Sequence, residues 1–268
     1  MSSRGKSRTS AHRLRLFRRI GKAAGRVRRR ISIGLGLGPE RANRGYMICA
    51  TSRSGSTYLC ELLASTGVLG NPREYFNTSG RRRRNDPDYP SDRLAQLDII
   101  RTSGATGNGI YAVKVIGPQL LRIKKRIDPF RDLPKLALVR LRRMDVVGQA
   151  ISLTRARQTG QFVASDRARG ASAYDAQAIR EALRSIAAQE AIWDAAMARL
   201  GVQPLSITYE DMLADPQGVV DRIALLLGLP LPVPIDRAVI AQTMQRDERT
   251  AEWRARFLAE SGDELRHL

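Results

Sequence analysis

Residues 46–57 of this chain, YMICATSRSGST, decide its fold. The first six residues predict a short buried strand, and the apolar positions after Thr57 predict a helix. Between them, Gly55 permits a close approach of the backbone to an anion, and the hydroxyl groups of Ser54, Ser56 and Thr57 are hydrogen-bond donors. Since the first amides of a helix also attract anions, this segment predicts a phosphate-binding turn. An ordinary strand-to-helix turn with a polar cap is the alternative.

The loop lacks the fingerprint of nucleoside triphosphate binding. That fingerprint needs a glycine, four further residues and then Gly-Lys-Ser or Gly-Lys-Thr, whereas Gly55 is the only glycine between Thr51 and Leu63 and that stretch contains no lysine. Arg53 supplies a permanent charge and a planar set of donors instead. The loop is therefore predicted to bind one phosphate group rather than a triphosphate chain.

The net charge of +20 is concentrated at the amino terminus. Residues 1–44 hold 14 Lys and Arg side chains against one acidic side chain, Glu40, whereas the other 224 residues hold 32 basic and 25 acidic ones. We expect residues 1–44 to form either a basic amphipathic helix on anionic lipid or a disordered, solvated extension. Their one aromatic residue, Phe17, offers little base stacking, so nucleic acid is not an expected partner.

Residues 45–268 are predicted to form one α/β domain with a central parallel sheet flanked by helices, because short apolar strands alternate with helical patterns. The predicted strands are 46–51, 110–115, 136–141 and 205–208, and the longest predicted helix spans 173–200. A polar insert, residues 71–109, separates the first two strands and contains one predicted helix over residues 91–101. Inserts of that length are usually functional lids, binding segments or disordered loops.

Composition argues against a membrane-spanning protein and against a metal site. No run of 18 or more apolar residues is present, so no membrane-spanning helix is predicted. Cys49 and Cys60 are the only cysteines and lack metal-ligand spacing. We therefore expect no bound metal and a reducing, cytoplasmic location.

A second anion site is predicted where the third strand ends. Arg143 follows that strand, Asp145 is expected to cap the next helix, and Gln149 and Ser152 lie one turn apart on it. Ligands of open α/β sheets bind outside the carboxyl ends of the strands. Arg143, together with Ser152 or Gln149, is therefore the candidate for a second phosphate, with a surface arginine cluster as the alternative.

Three separated segments together resemble PAPS-dependent sulfotransferases, PAPS being 3′-phosphoadenosine 5′-phosphosulfate. Residues 51–57 are similar to the loop that holds the 5′-phosphosulfate, residues 143–152 to the element that binds the 3′-phosphate, and residues 209–216 to a tyrosine-led segment near the adenine. The bacterial Stf0 type is the closer match, because GNPREYF at residues 70–76 resembles its Gly-x-Pro-x-Glu-x-Phe segment. The resemblance implies a fold related to nucleotide kinases, with the donor across the strand ends.

The resemblance also implies roles for individual residues. The implied donor-binding residues are Arg53, Ser54, Gly55, Ser56, Thr57, Arg143, Ser152 and Tyr209. Arg53, Glu74 and Lys114 are the implied catalytic residues: Arg53 stabilises the leaving phosphate, Glu74 accepts the acceptor's proton, and Lys114 contacts the sulfonyl group. No metal is implied. Independently, the only two histidines, His12 and His267, lie near the two ends of the chain, which favours a carboxylate as the base.

The implied acceptor is a carbohydrate or a glycolipid, and a homodimer is implied as well. The run Arg81–Arg84 has no counterpart in the resemblance and favours an anionic acceptor over a neutral sugar. Two other functions remain open. A non-catalytic protein that binds nucleic acid or anionic lipid would explain the charge, and a small-molecule kinase would explain the loop but would need ATP and Mg²⁺.

Overall fold

The computed structural model describes residues 41–84, 86–162, 169–240 and 248–261. Four strands form one parallel sheet in these ranges: β1 (Arg44–Ala50), β2 (Ile110–Ile116), β3 (Leu136–Arg142) and β4 (Leu205–Thr208). Each strand begins and ends within two residues of its predicted bounds. The predicted α/β fold with a central parallel sheet is confirmed. The basic segment before residue 41 lies outside the described residues, so its predicted character stays a prediction.

Helices flank the sheet. They are α1 (Ser56–Ser65), α2 (Thr78–Arg84), α3 (Arg93–Thr102), α4 (Gly117–Ile123), α5 (Pro129–Asp132), α6 (Val146–Thr159), α7 (Ala176–Leu200), α8 (Tyr209–Ala214), α9 (Pro216–Leu226) and α10 (Glu248–Ser261), with a 3-10 turn at Arg237–Val239. None of the helices that the structure describes is long and apolar enough to span a bilayer.

The two faces of the sheet carry separate hydrophobic cores. Successive side chains of a strand point to opposite faces, and β1 follows this rule: Tyr46 and Ile48 join a core with α1 and α9, while Met47 and Cys49 join a core with α3, α4 and α7. A third cluster joins α6, α7 and α10 and buries Trp253. Every residue of β1 from Gly45 onward is buried, which explains its nearly continuous apolar sequence.

The long helix α7 begins three residues later than predicted, after Asp175, whose side chain accepts a hydrogen bond from the amide of Ala178 at 2.9 Å. Its inner face includes Ile179, Ile186 and Trp193, all of them buried. Trp193 Nε1 donates to the carbonyl oxygen of Ala50 at 2.8 Å. The helix is therefore fixed to the last residue of β1, directly before the glycine loop.

The polar insert between β1 and β2 is folded against the body of the protein. Its predicted helix is present as α3, one or two residues later than expected, and α2 is a helix that the sequence pattern did not predict. Tyr75, Phe76 and Tyr89 are buried, and the hydroxyl group of Tyr89 donates to the carbonyl oxygen of Tyr75 at 2.7 Å. These contacts bring Glu74 and α2 to the sheet.

The strand order, β2-β1-β3-β4, creates a crevice at one edge of the sheet. The chain crosses from β1 to β2 on one side and then returns to β3 on the other side of β1. Neighbouring loops diverge at such a reversal, and their ends leave a cleft outside the carboxyl ends of the strands. The loops after all four strands meet at this edge because the strands are parallel.

Candidate active site

The loop after β1 is held in a conformation that most residues avoid. Arg53 and Gly55 both have positive φ angles, 63° and 85°. A Cβ atom at position 55 would lie 2.5 Å from Cδ2 of Tyr209. Glycine is therefore required both by the backbone angle and by the approach of this ring. The predicted glycine turn is present, and Tyr209 lies directly against it.

Two buried glutamines, Gln149 and Gln189, form hydrogen bonds with the first residues of this loop. Gln149 Nε2 donates to Thr51 Oγ1 at 2.9 Å and to the Ser52 carbonyl oxygen at 2.7 Å. Gln189 Oε1 accepts from the Ser52 amide at 2.8 Å and from Ser52 Oγ at 3.0 Å. Both glutamines are almost fully buried, so little water competes for these bonds. Helices α6 and α7 thus fix the shape of the loop.

The hydroxyl groups of the loop divide into two sets. Ser54 is fully buried, and its Oγ donates to the Thr51 carbonyl oxygen at 2.9 Å, so this hydroxyl stabilises the turn and does not line the cleft. Ser56 and Thr57 begin α1 and do line it. The N-cap residue, Gly55, offers α1 no side-chain hydrogen bond, which leaves the first amides of the helix for an anion.

Arg53 connects the loop to α6. Its Nε donates to Ser152 Oγ at 3.0 Å, and its Nη1 donates to the carbonyl oxygen of Phe162. Burial, and then repulsion from Arg143 and Arg155, lowers the pKa of Arg53. The two predicted anion sites therefore form one continuous positive region. Ser152 lines this region, whereas the side-chain amide of Gln149 is bonded to Thr51 and Ser52.

Arg143 lies where β3 ends, as predicted. Its guanidinium carbon is 4.6 Å from the centre of the Tyr209 ring, and its Nη2 is 3.4 Å from Asp145 Oδ2. Its Nε is buried without a hydrogen-bond partner among the residues that the structure describes. An unused donor of this kind suits an anionic ligand, because hydrogen bonds between charged groups are strong.

Asp145 caps α6, as predicted, through a hydrogen bond from the Gly148 amide at 3.0 Å. It also forms an ion pair with Arg254 of α10. Burial alone would raise the pKa of Asp145, but the Gly148 amide and Arg254 outweigh it, and the pKa is lowered. The pair fastens the last described helix to the edge of the cleft.

Glu74 and Lys114 form an ion pair at the opposite side, with 3.0 Å between Glu74 Oε1 and Lys114 Nζ. Glu74 Oε2 accepts hydrogen bonds from Asn77 Nδ2 and Gln119 Nε2, each at 2.8 Å. Burial would raise the pKa of Glu74, but Lys114 and the two amides lower it to about 2. The carboxylate is therefore ionised at neutral pH.

One cleft of about 890 Å³ joins the glycine loop, Arg143 and the pair of Glu74 and Lys114. Every residue predicted for the site lines this cleft except Ser54 and Gln149, the alternative to Ser152. The described charged residues of the wall are seven basic ones (Arg53, Arg83, Lys114, Arg122, Arg143, Arg155 and Arg254) and three acidic ones (Glu74, Asp145 and Glu210). This excess of positive charge suits an anionic ligand. Within the described ranges, no group of three His, Cys, Asp or Glu side chains is placed to hold a metal ion.

Several residues of the site had not been predicted for it. Arg155 and Arg254 line the cleft, and Asn77 and Gln119 hold Glu74. Gln189 was not predicted because it lies within the apolar face of α7. The sequence does offer one indication: Gln189 is polar at a position between Ile186 and Trp193 where the helical period requires a buried residue.

This chain is similar to several known proteins. The profile of the Stf0 sulphotransferase family matches residues 45–260. The chain is 29% identical over 267 residues to trehalose 2-sulfotransferase of Mycobacterium tuberculosis (strain ATCC 35801 / TMC 107 / Erdman), with 83% of this chain and 97% of the relative covered. It is 29% identical over 255 residues to trehalose 2-sulfotransferase of Mycolicibacterium smegmatis, with 79% and 93% covered. Among solved structures, the sulfotransferase domain from the curacin biosynthetic pathway has 14% identity and a TM-score of 0.48, with 83% of this chain and 99% of that chain covered.

Proposed function

Because the chain belongs to the Stf0 sulphotransferase family, we propose that it moves the sulfonyl group of PAPS to a hydroxyl group of a carbohydrate or glycolipid acceptor. One observation carries this proposal: the glycine loop, Arg143 and the ionised pair of Glu74 and Lys114 share a single cleft. The names of the two mycobacterial relatives support a carbohydrate as the acceptor.

The donor is proposed to lie along the ends of β1, β3 and β4. Arg53 and the first amides of α1 would hold the 5′-phosphosulfate, and Arg143 with Ser152 would hold the 3′-phosphate. The unused buried Nε of Arg143 supports this assignment, because a phosphate oxygen can complete its hydrogen bonding. Tyr209, between Gly55 and Arg143, is proposed to border the adenine.

Glu74 is proposed to accept the proton of the acceptor hydroxyl. As it does so, the hydroxyl oxygen bonds to sulfur, and the bond between sulfur and the 5′-phosphate oxygen breaks, which releases adenosine 3′,5′-bisphosphate (PAP). By analogy with phosphoryl transfer, the bond between the attacking oxygen and sulfur is weak in a loose transition state. The proton becomes strongly acidic as that bond is completed, so a carboxylate of low pKa can accept it. Lys114 and Arg53 are proposed to stabilise the negative charge on the sulfonyl group and the leaving phosphate.

Other parts of the proposal rest on the sequence. Residues 1–44 are proposed to be an extension separate from the catalytic domain, residues 45–268. The basic, amphipathic pattern of this extension supports contact with the anionic inner face of a membrane from the cytoplasm. A homodimer is proposed from the resemblance, and nucleic acid is not proposed as a partner. No metal ion is proposed, because arginine, lysine and hydroxyl donors suffice to hold the donor.

The test is a transfer assay with the full chain, PAPS and a panel of sugars that includes trehalose. We expect PAP to be released and one acceptor to gain the mass of a sulfonyl group. The rate of transfer should be unchanged when EDTA is added. A requirement for ATP and Mg²⁺ without PAP binding would favour the kinase. Binding of anionic lipid or nucleic acid without PAP binding or PAPS turnover would favour the non-catalytic alternative.

A further inference from the structure

We propose that the acceptor carries an anionic group, as a sugar phosphate or a uronic acid does, and that Arg83 and Arg122 bind this group. The inference rests on the proposed function, since it concerns the substrate of the same cleft. Arg83 lies on α2 and Arg122 on α4, and both line the cleft together with Glu74. The two arginines therefore approach the proposed base from the insert and from the segment that follows β2.

The contacts of the arginine run on α2 single out Arg83. Arg81 lies over the Tyr89 ring, 4.4 Å from its centre, and forms an ion pair with Asp86 at 3.8 Å. Arg82 Nε donates to the Tyr89 carbonyl oxygen at 2.8 Å. These two guanidinium groups hold the insert together. Arg83 is exposed, lines the cleft and makes no hydrogen bond or ion pair with another described residue.

Arg122 is in the same situation on α4. It is exposed, lines the cleft and has no ion pair with any acidic residue that the structure describes. The pKa of Arg93 is lowered by burial and then by repulsion from Arg126 and Arg122. Positive charge therefore accumulates around Arg122.

The charge balance of the cleft indicates a second anion beside the donor. Near the proposed base, Glu74 and Lys114 neutralise each other at 3.0 Å, which leaves the charges of Arg83 and Arg122 without compensation from the described wall. The donor residues come from the β1 loop and from β3 and β4, whereas these two arginines flank β2, on the other side of β1. A donor held at β1, β3 and β4 leaves this pair for the acceptor.

The experiment compares matched acceptors with the full chain: trehalose with trehalose 6-phosphate, and glucose with glucose 6-phosphate and glucuronic acid. We expect kcat/KM to be at least about tenfold higher, which corresponds to about 1.4 kcal/mol, for one anionic acceptor than for its neutral counterpart, because hydrogen bonds between charged groups are strong. Added salt should reduce this advantage. The phosphate and carboxylate arms distinguish the two kinds of anion.

Variants locate the effect. Arg83→Gln and Arg122→Gln should each raise KM for the anionic acceptor and reduce its advantage, with little change for the neutral acceptor. The dissociation constant of the anionic sugar, measured by calorimetry with PAP bound, should rise in parallel, while PAP affinity stays the same. Lys125→Gln, just after α4, is the control of equal charge change. Lys125 is exposed and does not line the cleft.

Failure of this inference is distinguishable from failure of the proposed function. If neutral acceptors are sulfated as well as anionic ones, and the two variants leave the ratio unchanged, the function stands and the inference is overturned. Loss of PAP affinity in Arg83→Gln or Arg122→Gln would assign the arginines to the donor and would also overturn it. If the wild-type protein neither binds PAP nor turns over PAPS, both the proposed function and this inference are overturned.

Discussion

Glu74 Oε1, on the insert, lies 3.0 Å from Lys114 Nζ, on β2, at one side of the cleft. The main-chain amide of Lys114 also donates to the carbonyl oxygen of Arg73 at 3.0 Å, so the pair is held by backbone as well as by charge. Burial favours the protonated form of the Glu74 carboxyl group. The ionised form nevertheless predominates, because Lys114, Asn77 and Gln119 all stabilise the anion. This balance leads to the first three predictions.

Replacing Glu74 by Gln should abolish most of the transfer activity. The amide keeps the size of the side chain but cannot accept a proton, and loss of a general base typically costs about 10²–10⁴ in rate. We expect kcat to fall by this order while the PAP dissociation constant stays within about threefold, since hydroxyl attack and donor binding involve different groups. Glu181→Gln, an exposed change on α7, is the control. An unchanged kcat would show that another group is the base.

Replacing Lys114 by Met should shift the acidic limb of the pH profile upward. In the wild type, Glu74 has a pKa of about 2, so we expect kcat/KM to be insensitive to this carboxyl group down to about pH 4. Without Lys114, burial becomes the main influence and raises the pKa. Rates measured between about pH 4 and pH 9 for both proteins test this. Identical acidic limbs would exclude Glu74 as the titrating base.

The same carboxyl group should make stability depend on pH. Because folding lowers its pKa from the ordinary 4.5 to about 2, its contribution is complete above pH 4.5 and is lost as the pH falls toward 2. The free energy of unfolding in urea should therefore differ most between wild type and Glu74→Gln above pH 4.5. That difference should shrink at lower pH. A difference that grows on acidification would contradict the lowered pKa.

Replacing Arg53 by Ala should lower kcat/KM by about 10²–10³, the usual cost of removing one donor that stabilises developing charge, and should weaken PAP binding. Arg53→Lys should recover only part of this activity, because lysine keeps the charge but not the planar group that reaches both Ser152 and Phe162. Arg157→Ala removes an arginine of α6 that lies outside the cleft and serves as the control. Normal transfer by Arg53→Ala, with reduced affinity only for polyanions, would contradict the role in catalysis.

Replacing Gly55 by Ala should distort the glycine loop. The new methyl group would lie 2.5 Å from the Tyr209 ring, and the φ angle of 85° adds about 1–2 kcal/mol of strain. Gly67→Ala is a matched control, because Gly67 has a φ angle of 68° but nothing within 4 Å of the added atom. Both variants should lose stability in urea, and only Gly55→Ala should also lose PAP affinity. Equal PAP affinity in the two variants would place the donor elsewhere.

The strands and most of the site could be predicted from the sequence, because they depend on local patterns. Short apolar runs define the strands, and polar residues such as Arg143 follow them at the edge where parallel strands end. Helix α2 could not be predicted in this way. Its sequence lacks an apolar period, and contacts of Arg81 and Arg82 with Tyr89 hold it in place.

The roles of individual polar groups in the loop required the structure. Gln189 reaches Ser52 across 137 residues of sequence, and no local pattern contains such a pairing. Ser54 shows the reverse error. Its hydroxyl group could donate to an anion, but the geometry of the turn directs it to the carbonyl oxygen of Thr51. Sequence identifies the residue types that gather at the loop, and the turn decides which of them face the cleft.

The arrangement of the cleft along the chain has an evolutionary consequence. The wall proposed for the acceptor comes from one continuous stretch, residues 74–122, whereas the wall proposed for the donor comes from the loop before it and from segments after it. We therefore expect substitutions on the wall within that stretch, other than at Glu74 and Lys114, to change which molecule is modified while the donor remains bound. New acceptor specificity is then expected to arise, or to be engineered, within one short part of the gene.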